Sequence, residues 1–313
     1  MDRRPFDVVT GAFGYSGRFI AHRLLDRGRK VVTLTGSPER ANPFRGLVEV
    51  RPFHFDDPDA LAASLRGTQV LYNTYWVRFD HDDFTHGEAV ENTLRLFRAA
   101  TAAGIRRVVH TSITRPSEDS PLPYFRGKAF LERRLVESGL SHAIVRPAVL
   151  FGHGDILINN IAWTLRRFPL FGVFGRGDYH IQPMHVEDFA DLLVQQGNHG
   201  KNVILDAVGP EKFTYRELVA CIGRAIGRRR PIVPVPTGLG WLFAKVCGVL
   251  VGDVVLTRDE IKGLMADLLH SDDPPTGTTR LSEYAEEHAA TLGVHYASEL
   301  ARRRDRRRSY DEL

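Results

Sequence analysis

A glycine-rich turn between an apolar run and the start of a helix is the feature that most constrains the fold of this chain. Residues 10–17 read Thr-Gly-Ala-Phe-Gly-Tyr-Ser-Gly. In this spacing Gly11 permits a tight turn out of a strand, Gly14 lets the backbone approach a pyrophosphate, and Gly17 lets the helix pack close to the sheet. The helix that follows offers free N–H groups and the positive end of its dipole to phosphates. The pattern therefore predicts a dinucleotide-binding turn.

The first half of the chain alternates strand and helix patterns. Apolar runs typical of buried parallel strands lie near residues 6–10, 31–35, 69–74, 107–111 and 143–147. Helical patterns separate them near residues 17–27, 58–65, 86–103 and 125–138. This alternation predicts an α/β fold with a doubly wound parallel sheet of the Rossmann type, because successive parallel strands need crossover helices.

The alternation loosens after residue 150, which predicts a second, smaller lobe. We expect residues 1–150 to form the nucleotide-binding domain, with residues 180–207 returning to it. Residues 151–179 and 208–313 are then expected to form a mostly helical C-terminal lobe for the substrate and its lid. The oligomeric state is not predicted by any of these patterns.

Composition narrows the class of protein. The chain has 313 residues, of which 43% are hydrophobic and 26% charged, and this composition is typical of a globular protein. Its basic excess is concentrated in the arginines of residues 302–308. Because no aromatic residue interleaves with them, we expect a solvated helix end and no nucleic-acid site. Cys221 and Cys247 form no redox or metal pair, and no apolar leader precedes the first strand, so we expect a cytoplasmic protein.

Residues 238–256 are strongly apolar, and their number approaches that of a membrane span. Lys245, Asp253 and several glycines within the segment argue against a span. We expect a lid helix packed on the core or over an apolar pocket. A helix lying on a membrane surface is the alternative.

The end of the second strand bears on the choice of cofactor. An NAD-selective site usually places an acidic residue there, and residues 34–38 contain none. Gly36 and Ser37 leave room for a 2′-phosphate, and Arg40 would pair with it. The sequence therefore favours NADP, with NAD as the alternative. In the competing interpretation, residues 37–40 are a helix cap and a surface charge pair.

Two adjacent aspartates follow what should be a further, third strand between the apolar runs at 31–35 and 69–74. We expect Asp56 to accept a hydrogen bond from the adenine amino group. Asp57 precedes Pro58 and has the position of a helix N-cap.

A second constellation follows the strand expected near residues 107–111. That strand ends at Ser112, and Tyr124 and Lys128 come later with the spacing Tyr-x-x-x-Lys, which places both on one helix face. A free tyrosine is a poor base at neutral pH, but a neighbouring ammonium lowers its pKa. Tyr124 can then exchange a proton with a substrate oxygen that Ser112 holds, while a nicotinamide exchanges a hydride. These three are the predicted catalytic residues.

With these motifs in order, the chain resembles the short-chain dehydrogenase/reductase superfamily in its extended or atypical branch. Arg146-Pro147 and the late Val186-x-Asp188 motif add to the likeness. In closer detail it resembles epimerase-like proteins related to the NADPH-binding accessory subunit of respiratory complex I. It departs from many extended members at Tyr75 and Trp76, where they have small residues. We expect this bulky pair to line the nicotinamide or substrate side.

The resemblance and the motifs together imply a set of cofactor contacts in the turn and at the ends of the strands. We expect these to be Thr10, Gly11, Phe13, Gly14, Tyr15, Gly17, Ser37, Arg40, Asp56, Asn73, Thr74 and Lys128. No His, Cys or Asp cluster has metal-ligand spacing, and residues 81–86 are predicted to be a polar helix start.

Two functions are compatible with these residues. The first is an NADP-preferring oxidoreductase or epimerase-type enzyme acting on a small hydroxyl or carbonyl compound. The alternative is a non-catalytic NADPH-binding protein with an assembly, regulatory or membrane-associated role.

Overall fold

Each apolar run of the first half forms a strand, and each helical pattern between them forms a helix. The computed structural model describes residues 5–80, 84–238, 241, 248, 252–254 and 256–310. The first strands are β1 Phe6–Thr10, β2 Lys30–Leu34, β3 Val48–Arg51, β4 Thr68–Asn73, β5 Arg107–Thr111 and β6 His142–Pro147. The helices between them are α1 Tyr15–Asp26, α2 Pro58–Leu65, α3 His86–Ala103 and α4 Pro123–Glu137.

The rest of the chain continues with shorter elements. They are β7 Val149–Phe151, α5 Leu157–Arg167, β8 Phe171–Phe174, β9 His180–Ile181, β10 Pro183–His185, α6 Val186–Asn198, β11 Val203–Ala207, β12 Phe213–Thr214, α7 Tyr215–Ala225 and β13 Ile232–Val235. The last described helices are α8 Arg258–Met265, α9 Leu281–Glu287 and α10 Glu299–Arg304.

Seven strands form one sheet in the order β11-β6-β5-β4-β1-β2-β3. The pairs among β1 to β6 are all parallel. The strand order reverses beside β1, which is the switch point of a doubly wound sheet, where such folds bind their ligands. The predicted fold class is confirmed.

Both faces of the central strands of this sheet are buried, as their apolar residues predict, whereas the edge strands β3 and β11 are partly exposed. One face packs in a cluster with α2, α3 and α4, which contribute Leu65, Leu96 and Leu131. Val9 and Val109 alternate with the strand residues of that cluster and are fully buried too. This alternation is expected when side chains of one strand point to opposite faces and helices cover both.

The chain divides into two units. The first comprises Met1–Pro147 and Phe189–Asp206, and the second comprises Ala148–Asp188 and Ala207–Leu313. The second unit has its own apolar core, built mainly by α5, α7 and α9. Beside its helices it has three two-stranded sheets, which pair β10 with β7, β12 with β9 and β13 with β8. A role for this unit as a substrate lobe stays a prediction.

Most of the predicted lid segment at 238–256 lies outside the described residues, and so does Cys247. Among the helices that the structure describes, none combines the length and apolarity needed to cross a bilayer.

Candidate functional site

The glycine turn joins β1 to α1, and its geometry requires glycine at two positions. Gly11 has a φ of +68°, in the left-handed region that glycine adopts without steric cost. Its N–H donates to the Leu34 carbonyl on β2 at 2.9 Å. A Cβ on Gly17 would lie 2.2 Å from the Gly11 carbonyl oxygen, closer than any real contact. The first turn of α1 can therefore meet the loop only because residue 17 is glycine.

The predicted anion-binding part of this turn consists mainly of backbone atoms. The N-cap of α1 is Gly14, which has no side chain to bond the N–H groups of the first turn, and that turn contains no acidic residue. Phe13 is buried and stacks on Phe44 with ring centroids 6.1 Å apart. Tyr15 meets Phe19 edge-on at 6.1 Å. The positive end of the α1 dipole thus faces a loop that carries no carboxylate of its own.

A row of buried polar side chains lies beneath the turn, across the ends of β1, β4 and β5. The Thr10 hydroxyl accepts hydrogen bonds from the N–H groups of Thr74 at 2.8 Å and Tyr75 at 3.0 Å, and donates to the Asn73 amide oxygen at 3.1 Å. Thr10 and Asn73 are fully buried. Their side chains hold the ends of β1 and β4 together, and direct contact with a cofactor stays a prediction for both.

The row continues to His110 on β5. The Asn73 amide nitrogen lies 3.0 Å from His110 Nδ1 and donates to it, because an amide NH₂ cannot accept. Complete burial lowers the pKa of His110 well below its ordinary value, and the nearby charge of Lys128 lowers it further. His110 is therefore a neutral member of the core at physiological pH.

Tyr124 and Lys128 lie on α4, which begins with Pro123 at a position where proline is favoured. Both side chains reach Trp76, the bulky residue after β4. The ring centroids of Tyr124 and Trp76 are 5.5 Å apart and edge-on, and Lys128 Nζ lies 4.3 Å from the centre of the Trp76 ring. A Cβ on Gly127 would lie 3.1 Å from Trp76 Cη2, so glycine there lets the indole approach the helix. The structure thus brings the predicted Tyr-Lys pair together around one aromatic side chain.

Lys128 is buried, with only 2% of its surface exposed. Its Nζ donates to the Thr111 carbonyl at the end of β5, at 2.7 Å. Burial lowers the pKa of Lys128 to about 7, and the negative charge of Glu132 partly opposes that shift. Near neutral pH this side chain therefore exists in both protonation states, which suits a group that assists proton transfer.

Ser112, the third predicted catalytic residue, faces a different partner. It is buried, and its hydroxyl donates to the carboxylate of Glu132. Glu132 in turn accepts from Arg146 Nε at 2.9 Å. The sequence analysis missed Glu132, although a signal was present: Glu132 lies one helical turn after Lys128, on the same face of α4. Whether Ser112 also contacts a substrate stays a prediction.

The residues predicted to bind the adenosine end lie on loops after β2 and β3. The Ser37 N–H donates to the Thr35 hydroxyl at 3.0 Å, which shapes the loop after β2. Arg40 is 7% exposed, so its side chain is largely within the protein. Asp57 caps α2 by accepting the Ala60 N–H at 3.0 Å, whereas Asp56 is exposed. The N-cap reading of Asp57 is confirmed, and the adenine contact of Asp56 stays a prediction.

An aromatic cluster beside these loops was not predicted. Phe53 and Phe55 stack with centroids 4.6 Å apart, and Tyr75 meets them at 5.1 and 5.2 Å. The run Phe-x-Phe after a short strand is the sequence signal that points to it. Flat rings at the ends of β3 and β4 are suited to packing against a base.

The polar helix start predicted at residues 81–86 is described only in part. Residues 81–83 lie outside the described residues, while the His86 ring meets the rings of Trp76 and Tyr124 with centroids 6.0 and 5.7 Å apart.

The late Val186-x-Asp188 motif has a structural role in the second unit. The Asp188 carboxylate accepts hydrogen bonds from the N–H groups of Thr278 and Thr279 at 2.7 and 2.8 Å. The late Val-x-Asp motif therefore secures a loop of that unit.

Comparisons with known proteins relate the chain to NAD(P)H-binding proteins. Residues 11–156 match a family model described as NAD(P)H-binding. The chain is 31% identical over 260 residues to a UDP-glucose 4-epimerase of Mycolicibacterium smegmatis, with 70% of this chain and 82% of that protein covered. It is 26% identical over 288 residues to an Arabidopsis thaliana protein named as mitochondrial NADH dehydrogenase [ubiquinone] 1 alpha subcomplex subunit 9, covering 85% of this chain and 71% of the relative.

Among solved structures, the fold is similar to an NADPH-dependent quinone oxidoreductase from Escherichia coli complexed with NADPH. The TM-score is 0.71 at 19% identity, with 90% of this chain and 99% of that chain covered. At this identity the likeness concerns the fold. Together with the glycine turn and the Tyr-Lys pair, these matches show that the chain belongs to the extended short-chain dehydrogenase/reductase family of NAD(P)-binding proteins.

Proposed function

We propose that this protein is an NADP(H)-dependent oxidoreductase that acts on a small carbonyl or hydroxyl compound, with Tyr124 as the proton donor. The observation that carries the proposal is the convergence of Tyr124 and Lys128 on Trp76, in the same unit as the glycine turn. A tyrosine and a lysine of near-neutral pKa on one helix face supply the acid–base partner that hydride chemistry needs.

The proposed division of labour follows from the side chains. A bound nicotinamide supplies or accepts the hydride. Tyr124 gives its phenolic proton to the substrate oxygen in the reducing direction and takes it back in the other. The positive charge of protonated Lys128 stabilises the phenolate that is left on Tyr124. Trp76 forms an apolar wall beside both groups, which limits the access of water to them.

The preference for NADP(H) is also a proposal. It is supported by the loop after β2, where Gly36 is exposed and Ser37 half-buried and no carboxylate precedes Glu39. A Cβ on Gly36 would meet nothing within 4 Å, so a side chain fits there. Gly36→Asp should repel a 2′-phosphate and bind a ribose hydroxyl, and thus shift the preference toward NADH by about tenfold or more. Gly36→Ala is the matched control, and its NADPH-to-NADH affinity ratio should stay within about twofold of the unmodified protein.

A second candidate is the non-catalytic NADPH-binding protein. Two contacts favour it: Ser112 is bonded to Glu132, and Lys128 is bonded to the Thr111 carbonyl. Both side chains therefore have structural partners. Their presence in the chain is explained without catalysis, as expected of a protein that binds the cofactor and turns over no substrate. The cytoplasmic location stays a prediction, because the Arabidopsis relative is named as mitochondrial.

Turnover measurements separate the two candidates. A panel of ketones, aldehydes, quinones and sugar nucleotides is screened by oxidation of NADPH, and an active compound is then tested with Tyr124→Phe. The enzyme proposal expects turnover to fall at least about a hundredfold while NADPH affinity changes little, since the variant loses the acid–base group alone. Turnover unchanged in Tyr124→Phe would refute the mechanism. Tight NADPH binding with no turnover across the panel would favour the second candidate.

A further inference from the structure

Three side chains of the second unit converge at a point that the proposed function does not use. His180 lies on β9, and Asp267 and His270 follow α8. His180 Nδ1 is 3.2 Å from Asp267 Oδ1, and His270 Nε2 is 3.2 Å from Asp267 Oδ2. One ligand-type atom from each residue lies within 4.8 Å of the other two. The carboxylate thus stands between two imidazoles.

The backbone holds this cluster in place. The segments carrying it are joined where Ile181 pairs with Leu269 and where the Gln182 N–H donates to the Leu269 carbonyl at 2.9 Å. The His180 N–H donates to Asp267 Oδ1 at 2.5 Å, which fixes the carboxylate. His270 is 7% exposed, while His180 and Asp267 are half-buried. The cluster is therefore anchored on one side and reachable from solvent on the other.

Asp267 occupies a backbone conformation that favours glycine. Its φ is +60°, just after the C-terminal end of α8, where a left-handed glycine commonly ends a helix. Aspartate pays a steric cost in this region, although a smaller one than most residues. A carboxylate that replaces the preferred glycine and meets two imidazoles points to a role for that carboxylate beyond ending the helix.

The spacing and the chemistry of the three groups match a metal site. In a tetrahedral zinc site with ligand bonds of about 2.0–2.2 Å, neighbouring ligand atoms are about 3.3 Å apart. Each imidazole nitrogen lies 3.2 Å from a different oxygen of Asp267, and one atom from each residue lies within 4.8 Å of the other two, so a small inward shift of the side chains would bring three ligand atoms to that separation. Imidazole nitrogens and a carboxylate oxygen are ligands of zinc, and three protein ligands leave a position for water. The Asp272 carboxylate lies 4.0 Å from the other ring nitrogen of His270, which is too far for a direct hydrogen bond.

We propose that His180, Asp267 and His270 form a binding site for a divalent transition cation of the zinc class. The site would clamp β9 to the segment that follows α8, because its ligands come from both. Asp267 supplies the central ligand, because its carboxylate lies within 3.2 Å of a ring nitrogen of each histidine.

The test uses the full-length, tag-free protein after treatment with a chelator. Zn²⁺ binding is measured by calorimetry, and Co²⁺ is added to follow the visible absorption that inner-sphere nitrogen and oxygen ligands produce. His180→Gln and Asp267→Asn should each weaken Zn²⁺ binding at least about a hundredfold, since losing an outer-shell partner alone costs about 10–100-fold. His199→Gln, at an exposed histidine outside the cluster, is the matched control and should stay within about threefold.

Asp267→Gly keeps the test independent of a folding defect. Glycine suits the left-handed backbone, which offsets part of the loss of the hydrogen bonds that Asp267 accepts, so this variant should stay folded when no metal is present. Addition of Zn²⁺ should raise the melting temperature of the unmodified protein and leave that of Asp267→Gly unchanged. Equal Zn²⁺ affinity in the unmodified protein, His180→Gln and Asp267→Asn would overturn the proposal. So would an unmodified protein that binds neither Zn²⁺ nor Co²⁺.

Discussion

The glycine turn and the Tyr124–Lys128 face of α4 belong to the same unit but are built from different parts of the chain. The turn uses backbone atoms of eight consecutive residues, and its requirement is steric, as the 2.2 Å approach at Gly17 shows. The α4 face uses side chains whose positions depend on Trp76 after β4 and on Thr111 at the end of β5. A local motif therefore specifies the first region, and long-range packing specifies the second.

This difference has a consequence for how each region responds to substitution. A backbone turn with no spare volume should lose its conformation when one Cβ is added, since the backbone atoms that the Cβ would meet cannot move aside. A buried side-chain network can lose one member and keep the fold, because the remaining partners are still bonded.

Gly17→Ala should have the largest effect. Its Cβ would press on the Gly11 carbonyl, and we expect a loss of about 3 kcal/mol in the free energy of unfolding together with loss of NADPH binding. Urea unfolding and NADPH fluorescence titration measure the two effects. Gly87→Ala on α3 is the control, because its Cβ would be 3.8 Å from the nearest atom, and a helical alanine should leave stability unchanged or slightly higher. Equal behaviour of the two variants would remove the steric argument for the turn.

Lys128→Met should change how stability depends on pH. The pKa of Lys128 is about 7 in the folded protein against an ordinary 10.5, so the unfolded chain binds more protons between these values. The free energy of unfolding therefore rises with pH from about 7 upward, by at most about 1.4 kcal/mol per pH unit, and is lower but flat below 7. Lys128→Met should remove this slope and be the more stable protein at pH 7. Urea unfolding between pH 6 and 9 checks it, and identical slopes in both proteins would contradict a buried, titrating lysine.

Ser112→Ala should separate a structural role from a catalytic one. The variant loses the hydrogen bond to Glu132, while Arg146 remains bonded to that carboxylate. We expect a cost of about 1–2 kcal/mol in stability and a loss of turnover below about tenfold, measured on the same preparation. A hundredfold loss of turnover with unchanged stability would instead place Ser112 at the reacting oxygen.

The smallest effects are expected at the paired aspartates after β3. Asp57→Ala removes the N-cap of α2 and should cost about 1 kcal/mol of stability with little change in NADPH affinity. Asp56→Ala should show the reverse pattern, with stability unchanged and NADPH affinity lowered a few-fold. Each variant is the control for the other, and an NADPH affinity that is the same in both would argue against an adenine contact at Asp56.

The fold was largely predictable because its signals are local. Apolar runs of five or six residues and the Asp57 cap each reflect what neighbouring residues can adopt. The strands and helices of the first half that were given bounds lie within a few residues of them, whereas β3 Val48–Arg51 had no predicted bounds. The candidate site was predictable only as a set of residue types. Residue types and spacing group Ser112 with Tyr124 and Lys128. The contact between Ser112 and Glu132 depends on how α4 packs beside the end of β5, which the sequence pattern does not specify.

Backbone dihedral preferences and side-chain periodicity belong to contiguous residues, so the glycine turn, the alternation of the first strands and helices, and the Tyr-x-x-x-Lys face of α4 could all be inferred from the sequence. Tertiary structure alone decided that Lys128 is buried and titrates near pH 7, and that His110 is neutral. It also brought His180 to Asp267, 87 residues away. Burial and charge partners depend on which distant segments meet, and a linear pattern does not encode that meeting.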